Sequence, residues 1–395
     1  MRLADLLRRK ELITFIALSL VSLFADMTYE GARSVLGAYL EVLEATAVVA
    51  GVVSVGDLLG YLMRGVGGFI AGLKRSSRVY WALVFGGYTI NLVAVPLLAF
   101  AGRWGEALCL VLLERVGKGL RAPARDVILS EVTEGIGRGK GFGIHELMDQ
   151  VGAVSGPLLV TWSLFSSGGE YRAAFLLLAI PALLALCLLC VAYVNYPSIR
   201  AVHALRRGRS SNNLDRSFWF FTIGTAMLST GYVHWALAAY RVEASALAPS
   251  HIIALLYTIA MLVDAAVALP AGMLYDRYGP ATLVAAPVLA GTASVLILTG
   301  GYSEVVLASM IWGVVMGLYE TNMRAAVADL SSPTNRAYAY GVYGVVFGVS
   351  WTLGNVFLAK IMTSFPCLLL PYIVIVESIA ACMLVLTVTT WHRRS

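Results

Sequence analysis

Asp26, Glu30 and Arg33 follow one another at intervals of four and three residues inside a long apolar run. That spacing puts all three side chains on one face of a helix. Two carboxylates one turn apart repel when both are charged, an arrangement suited to taking up and releasing a proton. Arg33 or Arg115 could equally hold the pair in a static ion bridge, and on sequence both readings stay open. Other apolar runs are interrupted too, by Asp57 and Arg64, by Arg115 and Lys118, by His145, Glu146 and Asp149, and by Asp264, Glu320, Arg324 and Glu377. An ionisable side chain at mid-membrane costs at least about 2.5–3.5 kcal/mol, so it faces a cavity or a partner. Arg115 is a candidate for substrate or proton coupling, and Asp57 and Glu320 for the wall of a central cavity. Glu146 and Asp149, near the end of their run, suit gate-side ion pairs with Arg121 or Arg125. His145, Asp264 and Glu377 read as interfacial or packing groups.

Other chemistries find no support. The five histidines (His145, His203, His234, His251, His392) are scattered without ligand spacing, so no metal is expected. No G-x-x-x-x-G-K-[ST] loop is present to hold ATP, and no nucleophile elbow for an enzyme. Cys187 and Cys190 spell CxxC inside an apolar run, where a redox site would lack water, and are read as packing residues. Neither catalysis nor a cofactor is expected.

The elements that position the charges follow from composition. The chain has 395 residues, 59% hydrophobic and 13% charged, with a mean hydropathy of +0.79. Soluble domains are about 25% charged, so this chain cannot cover soluble surfaces. Twelve apolar runs of spanning length fall at 12–40, 47–73, 79–101, 104–125, 141–166, 172–195, 217–241, 250–275, 281–302, 304–328, 338–364 and 367–391. If the N-terminus is cytoplasmic, the flanking basic residues divide 21 inside to four outside, the four being Arg103, Arg172, Arg241 and Lys360. This bias fixes the orientation, with both termini cytoplasmic. It also accounts for the net charge of +6 without nucleic acid.

The polar stretch 197–216 reads as a cytoplasmic linker between two six-helix bundles, 1–196 and 217–395. A shift of 198 residues lays Gly119-Leu120 on Gly317-Leu318, Arg138 on Arg336, Gly143 on Gly341 and Gly156 on Gly354. Such duplication is expected where two bundles rock around a central site. Pairs such as Gly152 and Gly156, or Gly313 and Gly317, put small residues on one face and let helices touch.

After the eighth run stands Gly272-Met-Leu-Tyr-Asp276-Arg277-Tyr-Gly279, which resembles the G-x-L-x-D-R-x-G loop of the major facilitator superfamily. The corresponding first-half loop has Gly72 where the aspartate belongs. Arg115-Val-Gly-Lys-Gly119 is similar to the superfamily's R-x-x-x-G motif, and Gly152-Ala-Val-Ser-Gly156-Pro157 to its antiporter-linked G-x-x-x-G-P motif. The stretches Gly117–Asp126 and Gly141–Asp149 look like those of prokaryotic permeases with poorly defined substrates. The resemblance implies an all-α fold of twelve transmembrane helices in two pseudo-symmetric bundles, located in the cytoplasmic membrane as a monomer. It implies alternating access for a small solute, with a proton gradient as driving force and export by antiport. In that scheme Asp26, Glu30, Arg33, Asp57, Arg115 and Glu320 line the coupling cavity. Asp276, Arg277, Arg121, Arg125, Asp126, Glu146 and Asp149 form a cytoplasmic gate. An uptake symporter of the same fold is the nearest rival, and a transport-inactive sensor a more distant one.

Overall fold

The computed structural model describes residues 3–74, 76–200, 214–331 and 336–392. Most of the predicted linker, 201–213 with Arg206, Arg207 and Arg209, lies outside the described residues, as do Arg2, Arg75, His203, Arg393 and Arg394. Among the described residues there is no strand. Backbone groups in hydrocarbon must be satisfied internally, and long apolar runs solve this as helices.

The chain forms two compact units, residues 1–33 with 59–207 and residues 34–58 with 208–395. In chain order the helices are α1 (Leu3–Val42), α2 (Ala47–Val52), α3 (Val55–Lys74), α4 (Ser77–Leu97), α5 (Trp104–Val132), α6 (Arg138–Ser167), α7 (Tyr171–Leu177) and α8 (Ala179–Asn195). They continue with α9 (Arg216–Gly231), α10 (Trp235–Ala244), α11 (Ser250–Tyr278), α12 (Ala286–Thr299), α13 (Tyr302–Leu318), α14 (Arg324–Asp329), α15 (Arg336–Ser364) and α16 (Leu369–His392). Eight helical stretches among the described residues are long and apolar enough to cross a membrane. The other four predicted runs fall on α5, on α6, on the pair α9 and α10, and on α12, which has 14 residues.

The sequence divides the bundles at the linker, yet residues 34–58 pack with the second half. The indole of Trp235 donates to the Ser34 carbonyl at 2.9 Å, and the Tyr240 hydroxyl to that of Ala45 at 3.1 Å. The Gly51 backbone lies so close to Asn355 that a Cβ there would stand 2.6 Å from its carbonyl oxygen.

Within each unit small residues set the helix contacts. In the first, α4 meets α5 at Gly87 and Gly117, where a Cβ on Gly117 would fall 2.6 Å from both the Asn91 nitrogen and the Gly87 oxygen. Gly152 and Gly156 of α6 press on α1: a Cβ on Gly152 would stand 2.9 Å from the Asp26 Cβ, and one on Gly156 would stand 2.9 Å from the Gly31 nitrogen. In the second unit the repeat-matched Gly354 of α15 meets Thr230 of α9, where a Cβ on the glycine would stand 2.8 Å from the Thr230 oxygen. The 198-residue register thus repeats a contact, because the fifth run touches the first in one unit and the eleventh touches the seventh in the other.

The seventh run, predicted as one helix over 217–241, is broken. Helix α9 ends at Gly231 and α10 begins at Trp235, with Tyr232 extended between them (φ −90°, ψ 122°). Ser229 and Thr230 bend their hydroxyls back onto the Ala226 and Met227 carbonyls at 2.7 Å each. Side-chain back-bonding followed by a glycine weakens the helix at this point. The Cys187 and Cys190 side chains are exposed on α8 rather than packed.

Candidate functional site

Asp26 of α1 accepts a hydrogen bond from the hydroxyl of Tyr29, one turn further along the same helix. The charged groups acting on its carboxyl are Asp149 of α6, Lys118 of α5 and Glu30. The Lys118 ammonium stands over the Tyr29 ring, 3.9 Å from its centroid, a cation–π contact strengthened by loss of water. Tyr29 therefore joins an acid on its hydroxyl to a cation on its face. The Gly152–Gly156 contact brings α6 against α1, close enough for the Asp149 charge to act on Asp26.

Glu30 takes a different partner from Asp26. Arg33 holds it at 2.8 Å, and the Glu30 residue is 6% exposed. Arg115, expected to act on the carboxylates of α1, lies with its Nε 3.3 Å from the adjacent Glu114. Glu114, which sequence reasoning passed over, is buried and accepts from the Asn91 amide at 2.6 Å. The Asn91 oxygen in turn accepts from Arg121 at 3.5 Å, and Arg121 lies 3.8 Å over the ring of Tyr88. The close approach at Gly87 and Gly117 makes this second layer possible, since Tyr88 and Asn91 flank the contact on α4. Asn91, the one amide side chain in the apolar run 79–101, was the signal available.

The predicted gate residues take local partners within each unit. Arg125 binds Asp126 through two nitrogens at 2.8 and 3.0 Å. Asp149 lies 4.0 Å from Nε2 of the buried His145, and the Arg125 charge also acts on it. Glu146 is exposed, as are Asp276 and Arg277. The bond from that last segment is made by Tyr275, whose hydroxyl donates to Asp329 at 3.2 Å. A firmer clasp forms after α8. The Tyr196 hydroxyl donates to Glu131 at 2.7 Å, the Arg200 backbone N–H to the same oxygen at 2.9 Å, and the Arg200 side chain to Glu11 at 2.7 Å. Burial, then the bond to Glu131, pushes the Tyr196 phenol up to about 12.

In the second unit the chemistry gathers at the broken helix. Four backbone groups between α9 and α10 pair with side chains. The Val233 N–H donates to Ser294 at 2.8 Å, and the Val233 carbonyl accepts from the Trp312 indole at 2.9 Å. Asn355 serves twice: its oxygen accepts from the His234 N–H at 2.6 Å and its amide donates to the Tyr232 carbonyl at 3.3 Å. His234 caps α10, its Nδ1 accepting from the Ala236 N–H at 3.1 Å. That leaves Nε2 to face Asp57, 3.5 Å away, so this predicted cavity residue belongs to the second unit.

Aromatic rings surround the break. Tyr343, Phe347 and Trp351, four residues apart on α15, stack with centroids 5.9 and 5.5 Å apart. Trp351 meets Tyr232 at 5.4 Å and His234 at 5.7 Å, and Tyr232 stacks on Trp312 at 5.7 Å. Tyr319 also stacks on Phe347, at 4.7 Å. Next to it, Glu320 sits on a π-helical turn, Tyr319–Met323, an irregularity frequent at functional sites. Among the described residues no group of three or more His, Cys, Asp or Glu side chains could hold a metal ion.

Residues 217–394 match the Major Facilitator Superfamily. An uncharacterised protein of Mycobacterium tuberculosis is 36% identical over 342 residues, covering 85% of this chain and 83% of its own. An uncharacterised MFS-type transporter of Methanocaldococcus jannaschii is 24% identical over 323 residues, with 77% and 78% coverage. Among solved structures, the peptide transporter POT in complex with sulfate superposes with a TM-score of 0.74 at 14% identity, covering 96% of this chain and 94% of that one. The nucleoside transporter NupG gives 0.69 at 16% identity, covering 94% and 98%.

Proposed function

Because the chain belongs to the Major Facilitator Superfamily, we propose that it exports a small solute across the cytoplasmic membrane in exchange for protons, by alternating access. Membership and the fold of the solved neighbours support secondary transport. The twelve-span arrangement with both termini cytoplasmic draws on the positive-inside bias, and export on the resemblance of Gly152–Pro157 to an antiporter motif.

The observation that carries the proton half is the set of contacts at Asp26. Its carboxyl accepts from a phenol, faces the Asp149 carboxylate and feels the Lys118 ammonium. A proton delivered there cancels the charge that attracts Lys118 and relieves the repulsion from Asp149. A proton withdrawn restores both. The ion pairing between α1, α5 and α6 thus depends on whether the site is loaded, which is what coupling requires: a differential interaction in two states.

The test is reconstitution. Solutes that raise the melting temperature of the purified protein identify ligands, because a ligand stabilises the state it binds. In liposomes with an imposed pH gradient such a solute is expected to move against the proton flow, and Asp26→Asn is expected to abolish that movement while solute still binds. A ligand that binds yet crosses at the same rate with and without the gradient refutes proton coupling.

A further inference from the structure

Glu377 lies on α16, ~12 Å along the axis from Leu369 at the usual helical rise. The residue is 6% exposed. Neither carboxyl oxygen has a hydrogen-bond partner among the described residues. Two glycines on two other helices make its niche. A Cβ on Gly231 of α9 would stand 2.5 Å from Oε1, and a Cβ on Gly291 of α12 would stand 3.1 Å from Cγ. Gly231 is the last residue of α9, so the carboxyl faces the negative end of that helix dipole.

Among the described residues, burial and not a charged side chain is what acts on it. Helix α12 carries no ionisable residue, and α9 only Arg216 at its opposite end. On α15, Arg336 and Lys360 are exposed and Tyr343 stacks on Phe221. The turns Gly279–Leu283 and Pro366–Leu368 add only Cys367, which is exposed. The ionisable neighbour is Tyr372 on α16 itself, and its hydroxyl is engaged by the Thr230 carbonyl at 3.1 Å. A carboxylate in this niche would be buried with neither a donor nor a counter-ion among the described residues, whereas a carboxylic acid suits it.

The niche also adjoins the one place where the seventh span is not held by its own ladder. Tyr232–His234 hangs on Ser294, Trp312 and Asn355. We propose that Glu377 is a proton-binding site of the second unit. Loaded, it lets the end of α9 seat on α16 and α12; emptied, its charge drives that end away. This role in coupling rests on the reading of the chain as a proton-driven carrier, but the site itself can be tested without any solute.

The wild-type protein in liposomes is treated with dicyclohexylcarbodiimide, a lipid-soluble reagent that adds to protonated carboxyls, and the adducts are mapped by mass spectrometry. We expect an adduct on Glu377 whose yield falls about tenfold per pH unit above the midpoint of the site. No adduct at any pH, or a yield flat in pH, overturns the site, and this measurement needs no variant to fold. For the coupling role, Glu377→Gln is expected to reduce flux driven by a pH gradient to that of empty liposomes while gradient-free solute exchange persists. Undiminished gradient-driven flux in that variant overturns the role. A wild-type protein that moves no solute would overturn transport instead and leave the labelling to decide the site.

Discussion

Tyr29 is the hinge of the first charged cluster, because one side chain meets an acid at its hydroxyl and an ammonium at its face. The acid and the ammonium are therefore coupled through it as well as by charge. Lys118→Met is expected to lower the melting temperature in detergent, since removing one partner leaves the other charge buried without it. The double variant Asp26→Asn/Lys118→Met is expected to recover part of the loss, with an interaction energy of about 1–3 kcal/mol. Equal and additive losses would show that the two residues do not act on each other. The one-face placement of Asp26, Glu30 and Arg33 was legible from spacing alone, and so was the Glu30–Arg33 pair as an open alternative. The role of Arg115 was not, because its partner Glu114 is oriented by Asn91 on another helix, and no spacing within one run reports that.

At the scale of elements, glycine contacts and one break determine where the charges meet. Gly117→Ala places a Cβ against backbone on α4 and is expected to cost about 1–3 kcal/mol by overpacking, read as a fall in detergent melting temperature. Asn355→Ala strands the His234 N–H and the Tyr232 carbonyl in an apolar interior, at about 1–3 kcal/mol for each buried group left unpaired. Asn355→Asp, which keeps the acceptor for His234, is expected to lose less. The clasp after α8 gives a pH signature. The Tyr196 phenol titrates at about 12 in the fold, above its ordinary 10.0, so its stabilising contribution is complete below that ordinary value and disappears as pH rises through the higher one. Tyr196→Phe is expected to flatten the stability profile in that alkaline window. The duplicated glycines were readable as a repeat because close helix contact tolerates no side chain. The break was not predicted, because apolar periodicity runs unchanged through 217–241. Its signals were Ser229-Thr230-Gly231 and a lone Asn355 in a distant run, and only the fold brings them together.

At the scale of the whole chain, hydropathy and basic residues were enough to identify a polytopic helical protein, while the packing of residues 34–58 with the second half was not readable from their order in sequence. The predicted orientation has a direct check. In a cysteine-free background, Arg103→Cys and Arg172→Cys are expected to react with a membrane-impermeant maleimide in intact cells, and Lys74→Cys and Lys140→Cys only after lysis. The reverse pattern would invert the topology. The interruption of the predicted seventh run also changes the length that this stretch of chain covers. Extended residues such as Tyr232 and His234 cover ~3.3 Å each, whereas wound into the neighbouring coil they would cover ~1.5 Å each. Re-coiling this stretch would therefore draw α10 toward α9 by roughly 4 Å and turn it about its axis, a screw-like stroke whose catches are Ser294, Trp312 and Asn355.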